Sequence, residues 1–282
     1  MPESVEQNRE SSDVKSLPIA FAEDDLNALR SAYYTLEHPS FAARLSSVVG
    51  TPIDMAVHLL PKPWYKEVRK VAESAISKAL ETAVSSMRRD HEASARELYY
   101  KALIAGTGGV GGFFGLPGML AELPVSTTLI LRSIAEIARD EGEDIHTLET
   151  QLACIEVFAL GGTAESDDAA ETGYYGIRLA LSGYMSSALT NVAQHGLELE
   201  SGPAVFRLIN AVASRFGIAV SQKAATQIMP VVGAVGAATV NTIFMHHFQR
   251  MARAHFIVRR LERKYGKDFV RTGYEFLVKR SS

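Results

Sequence analysis

Apolar positions recur at steps of three and four along most of this chain. In "WYKEVRKVAESAISKALETAVSSMRRD", Val68, Val71, Ala72, Ala75, Ile76, Ala79, Leu80, Ala83, Val84 and Met87 fall on one face. That spacing predicts an amphipathic helix, and Pro63 suits its first turn. Asp90 can cap a further helix over about residues 91–104. In "LPVSTTLILRSIAEIARDEG", Pro124 predicts a helix start and Gly142 a helix end. Asp144 is the expected cap of "IHTLETQLACIEVFAL", which Gly161-Gly162 stops. Helices follow through "YYGIRLALSGYMSSALTNVAQ", from Pro203 to about Met229, from beyond Pro230 to Gly266, and over about 268–279. No segment alternates like a strand between hairpin turns. The expectation is an all-α fold, a single compact multi-helix domain with two Gly-rich apolar helical segments at its centre. The polar N-terminus, residues 1–22, reads as a disordered tail, and residues 23–282 as the domain.

Composition narrows the functional classes. The formal net charge is −3 and the pI about 6.3, which argues against a general nucleic-acid binder. Cys154 is the only cysteine and sits in an apolar run, so a buried thiol in a reducing compartment is expected. The N-terminus lacks the basic and apolar regions of a secretory signal, so a cytoplasmic location is expected. Charge is uneven. Glu136 to Glu171 is rich in acidic residues. Arg250, Arg253, Arg259, Arg260, Arg263 and Lys264 crowd the stretch 250–264. These arginines are candidate contacts for anionic lipid or an acidic partner, against the plainer reading of a solvated helix face.

The most suggestive motif is "GTGGVGGFFGLPG", residues 106–118. Gly106, Gly108 and Gly111 satisfy G-x-G-x-x-G. A dinucleotide fingerprint needs a strand before it and a helix after it. Here the preceding "ARELYYKALIA" is helical in pattern, so no cofactor is expected. Two uncharged runs, 102–121 and 224–245, are long enough to span a bilayer, which takes about 20 residues. Gly, Ala, Thr and Pro dilute both, which favours buried packing elements in a soluble fold, with reversible membrane association as the alternative and spanning helices behind both. No metal is expected. His246, His247 and His255 lack the i, i+4 ligand spacing, and Glu165, Asp167, Asp168 and Glu171 suit a helix start better than a cation site. Glu122, Arg132, Glu136 and Asn241 are polar residues within apolar segments. They are expected to form either a structural ion-pair cluster or a polar pocket.

Three stretches carry a family resemblance: "GGFFGLPGMLAELPVSTTLILRSIAEIARDEGED", "MPVVGAVGAATVNTIFMHHFQRMARAHFIVRRLERKYG" and "HPSFAARLSSVVGTPIDMAVHLLPKPW". They resemble the central, C-terminal and N-terminal parts of the EcsC protein family, in the expected order from about Leu26 to Gly266. The matching positions are Gly112, Gly115, Glu122, Leu123, Pro124, Arg132, Glu136, Pro230, Gly233, Asn241 and Phe244. The resemblance transfers no catalytic residue. It implies a mainly bacterial, cytoplasmic helical protein working at the membrane face or with a membrane partner, since the family takes its name from a gene beside an ABC exporter. The leading expectation is a non-enzymatic accessory or scaffold protein, peripherally associated with the membrane or a transport-linked complex. The alternative is a hydrolase-type enzyme with a polar pocket near Glu122, Arg132 and Asn241.

Overall fold

The computed structural model describes residues 21–38, 40–87, 115–162, 173–195, 203–228 and 234–281. The expected helix over 91–104, the glycines from Gly106 to Gly112, the acidic cluster 165–171, Pro230 and Gly233 lie outside the described residues. The described residues form ten helices and no strand. They are α1 Glu23–Glu37, α2 Phe41–Val49, α3 Ile53–Val57, α4 Lys62–Met87 and α5 Gly115–Asp140. After these come α6 Leu148–Leu160, α7 Tyr174–His195, α8 Pro203–Gln227, α9 Ala234–Tyr265 and α10 Lys267–Ser281. The fold is all-α and forms one compact domain, as its periodicity predicts.

Two helices organise the packing. The long α9 meets α1, α2, α5, α6, α8 and α10. Every helix from α2 to α7 touches α8, and α8 in turn touches α9. The reason is in their side chains. On α9, Val240, Phe244, Phe248, Met251, His255, Val258 and Leu261 recur at helical spacing and are all buried. On α8, Val212, Phe216, Ala219, Val220 and Ala224 do the same. Phe158, Phe216, Phe244 and Phe248 interlock at the crossing, with ring centroids 4.9 to 5.5 Å apart along the Phe158–Phe216, Phe158–Phe248, Phe216–Phe248 and Phe244–Phe248 pairs.

The glycine stop after α6 has a packing cause. A Cβ on Gly162 would lie 2.0 Å from the Arg215 carbonyl oxygen, and one on Gly161 would lie 2.4 Å from the Phe248 ring. Only glycine lets the end of α6 approach α8 and α9 this closely. Gly142 closes α5 with φ +80°. The Glu143 amide donates to Ala138 O and the Gly142 amide to Arg139 O, the paired bonds of a Schellman end.

Several expectations are corrected. Pro124 lies well inside α5 rather than at a helix start, because the helix already begins at Gly115. The ring removes the amide that would bond the carbonyl one turn back. Packing overrides that loss, since Met119 and Leu123 before the proline are buried in the core. The cap of α6 is Thr147, not Asp144: Thr147 Oγ1 accepts from the Thr150 amide at 3.3 Å. Asp144 instead accepts from the His146 amide at 3.0 Å and shapes the turn before the helix. The uncharged run 224–245 is not one helix, since α8 ends at Gln227 and α9 begins at Ala234. Residues 102–114 of the other run lie outside the described residues. Phe21, within the stretch read as the tail, packs edge-on against Tyr265 and Phe269.

Candidate functional site

Three helices bring polar side chains together inside the core. Glu122 comes from α5, Lys223 from α8 and Asn241 from α9. Lys223 Nζ donates to Glu122 Oε2 at 3.0 Å, and Asn241 Nδ2 donates to Glu122 Oε1 at 3.3 Å. Lys223 is 1% exposed, and its ammonium also lies 4.8 Å from the centre of the Phe244 ring. Glu122, Asn241 and Phe244 are signature positions from two separated stretches of sequence, so the resemblance converges on one place. The structure adds Lys223, which carried no signal in the sequence. In "VSQKAATQ" a lone lysine resembles a surface residue, yet Phe216, Ala219, Val220 and Lys223 share the buried face of α8.

Arg132 and Glu136 lie further along α5; Arg132 is half-buried and Glu136 buried. The cation on Glu122 is therefore Lys223 rather than Arg132. The Glu122–Lys223–Asn241 cluster is charge-balanced, with both carboxylate oxygens accepting a hydrogen bond. A buried pair satisfied in this way suits fixing helix register. It suits acid–base catalysis less, because the carboxylate already holds a cation.

The basic stretch has partners within the chain. Arg259 Nε donates to Glu143 Oε1 at 2.8 Å, and its Nη2 reaches Glu149 at 3.4 Å. Arg260 Nε donates to Glu141 Oε2 at 2.8 Å. Arg263 pairs with Glu143 and donates to the Glu141 carbonyl oxygen at 2.7 Å. Lys264 Nζ and the Tyr265 hydroxyl both donate to Asp25 Oδ2, at 2.6 and 2.7 Å. These bonds, Lys264's first, hold the Asp25 carboxyl below its ordinary value. Burial pushes the Glu143 carboxyl up, but its bonds and charge pairing with Arg259 win and set it below its ordinary value. Arg250 Nη1 donates to Ser40 Oγ at 3.2 Å, and Arg253 is exposed. The acidic turn after α5 and the basic end of α9, opposite in charge along the sequence, thus meet in space.

A third cluster had no sequence signal. Arg178 makes two bonds to Glu262, at 2.6 and 3.0 Å, and Tyr175 donates to the same carboxylate at 3.1 Å. Beneath it, His255 Nδ1 lies 3.0 Å from the Tyr174 hydroxyl and His255 Nε2 lies 3.8 Å from Glu156 Oε2. Burial pushes the Glu156 carboxyl up to about 7 and holds the His255 imidazole well below its ordinary value, so burial favours the neutral form of both. His247 is likewise lowered to about 4 by burial, and its Nε2 sits 2.8 Å from Gly161 O. Cys154 is buried, and burial pushes its thiol up to about 12, which removes thiolate reactivity at neutral pH. Among the described residues no group of three or more His, Cys, Asp and Glu side chains is arranged to hold a metal ion.

The fold and these clusters define an all-α protein in which several charged clusters tie helices together. The chain belongs to the EcsC protein family, whose model matches residues 25–261. No curated protein and no solved structure matches it.

Proposed function

We propose that this protein is a non-enzymatic accessory or scaffold protein that associates peripherally with the cytoplasmic membrane or with a transport-linked membrane complex. The observation that carries this reading is an uncharged surface helix. From Leu179 to His195, α7 contains no Asp, Glu, Lys or Arg. Leu179 is 69% exposed and Tyr184 42%. The adjoining α8 leaves Phe206 60% exposed. By length and composition α8 is also apolar enough to cross a membrane, and 56% of its most apolar window is buried. A face of this kind gives up little hydration when it meets an apolar surface, and tyrosine suits the lipid interface.

In this reading the contact is made by α7 and α8 rather than by Arg259, Arg260 and Arg263 of α9, which pair with Glu141, Glu143 and Glu149. Apolar contact and charge attraction respond differently to salt. Flotation with phosphatidylglycerol–phosphatidylethanolamine vesicles tests the proposal. Expected are co-flotation that survives high salt and its loss in Leu179→Asp/Phe206→Asp. Failure of the wild-type protein to float at low salt would sink it.

A further inference from the structure

Two guanidiniums come together where α2 packs on α9. Arg44 of α2 and Arg250 of α9 line one small surface notch with Thr35, Ser40, Phe41 and His247. Arg250 Nη1 donates to Ser40 Oγ at 3.2 Å, and Arg44 Nη1 lies 3.0 Å from His246 Nδ1. A guanidinium can only donate, so that histidine nitrogen accepts and the His246 proton sits on Nε2. Among the described residues neither arginine pairs with a carboxylate. The reason lies in the sequence: α2 contains no Asp or Glu, and α9 has none before Glu262. On α1, Glu37 accepts instead from the Tyr174 amide and the Tyr274 hydroxyl, at 3.1 and 2.7 Å. Arg259, Arg260 and Arg263, further along α9, are each tied to a glutamate.

The unbalanced charge is felt by its neighbours. Burial, and after it the Arg44 charge, hold the Arg250 guanidinium below its ordinary value. Burial lowers the His247 imidazole against the pull of its bond to Gly161, and the Arg250 and Arg44 charges add to that lowering. The first turn of α2 carries no acid and no side-chain cap, so the positive end of that helix strengthens the same field. The notch has a volume of about 10 Å³, room for about one water. An anion therefore sits across its mouth, with its far side in solvent. From this arrangement we infer that Arg44 and Arg250 together bind the terminal phosphate of a phosphate monoester. One N–H of each guanidinium is already engaged, and the others remain to donate. A pair of guanidinium forks matches a phosphate dianion better than a carboxylate, which brings a single charge and fewer acceptor oxygens. The shallow notch takes only the phosphate, so the rest of the ligand stays outside. Phosphatidic acid headgroups and soluble phosphate monoesters share this chemistry. The site is built on α2 and α9 and does not rest on the exposed face of α7.

The test is carbon-detected NMR of the arginine guanidiniums in the full-length protein, titrated with inorganic phosphate at about pH 7, where phosphate carries most of its second charge. Expected are saturable shifts at Arg44 and Arg250 and little change at Arg259, whose fork Glu143 holds. Chloride at matched ionic strength leaves all three in place. Arg44→Gln and Arg250→Gln each weaken phosphate affinity by roughly tenfold. Flotation separates the sources. Phosphatidic acid vesicles that carry more protein than phosphatidylcholine vesicles, with the excess lost in Arg44→Gln/Arg250→Gln, assign the site to the lipid headgroup. Equal flotation on both vesicle types, with phosphate binding intact, assigns it to a soluble monoester. Absence of saturable phosphate shifts at these two arginines, equal shifts in chloride, or undiminished phosphate affinity in the double variant overturns the inference. Should a variant fail to fold, the wild-type titration alone decides.

Discussion

At the scale of single residues, Glu156 is the buried group with the clearest consequence. Burial raises its carboxyl to about 7; the Arg178 and Arg259 charges oppose this and Glu262 adds to it. A carboxyl raised in the folded state contributes stability that is complete below its ordinary value of 4.5 and is lost as pH rises through about 7. His247 and His255 have the opposite sign. Their imidazoles are lowered, so their contribution is complete above 6.5 and is lost as pH falls, for His247 through about 4. For these three groups together the contribution peaks near the imidazoles' ordinary value of 6.5, where the histidines' gain with rising pH is complete and the loss at Glu156 continues. Glu156→Gln keeps the shape and cannot ionise. It is expected to raise stability at pH 8 by on the order of 3 kcal/mol and to change it little at pH 5, as read by urea denaturation at both values. A variant no more stable than wild type at pH 8 would mean that Glu156 is already protonated or solvated there. The sequence shows Glu156 as one acid in the apolar run "CIEVFAL", but the side chains around it, His255 and Tyr174, come from α9 and α7 and were not legible there.

At the scale of elements, the tie between α5, α8 and α9 separates what was legible in the sequence from what was not. Glu122 and Asn241 stood out as polar residues in apolar segments, because burial of such groups demands partners. The sequence places both in one expected polar cluster, and they meet across 119 residues; that the cation there would not be Arg132 was not legible. Nor was Lys223, whose side chain runs into the core where lysine ordinarily reaches for water. The helices themselves were legible because periodicity of 3.6 is local. Pro124 misled for the same reason: a local rule says where proline is comfortable, and core packing around it decided otherwise. The tie makes an asymmetric prediction. Lys223→Met leaves the Glu122 carboxylate buried without its cation, at a cost of about 3–5 kcal/mol. Adding Glu122→Gln returns most of that, because the new amide keeps the bond to Asn241 and carries no charge. Chemical denaturation of the two single variants and the double variant gives the coupling directly. Additive losses would show that the pair is not coupled and that the helices are held by apolar packing alone.

At the scale of the whole molecule, the uneven charge of the chain makes a fold contact. The net charge of −3 hides two opposed blocks. The turn after α5 presents Glu141 and Glu143, joined by Glu149 at the start of α6, and α9 meets them with Arg259, Arg260 and Arg263. Sequence reveals the two blocks but not their pairing, which spans 110 to 120 residues. Arg259→Glu places a carboxylate against Glu143, whose side chain is mostly buried, and is expected to cost about 3 kcal/mol. Combining it with Glu143→Arg restores one pair but sets the new guanidinium beside Arg263, so the rescue is partial. The same variants bear on membrane contact. If these arginines face lipid, Arg259→Glu weakens vesicle flotation at a temperature where the variant remains folded, and the added Glu143→Arg does nothing to recover it. If their role is to join α9 to the turn after α5, the melting temperature falls and partly recovers while flotation stays at the wild-type level throughout. The second pattern is expected, since the guanidiniums of Arg259 and Arg263 converge on one carboxylate and that of Arg260 lies against Glu141.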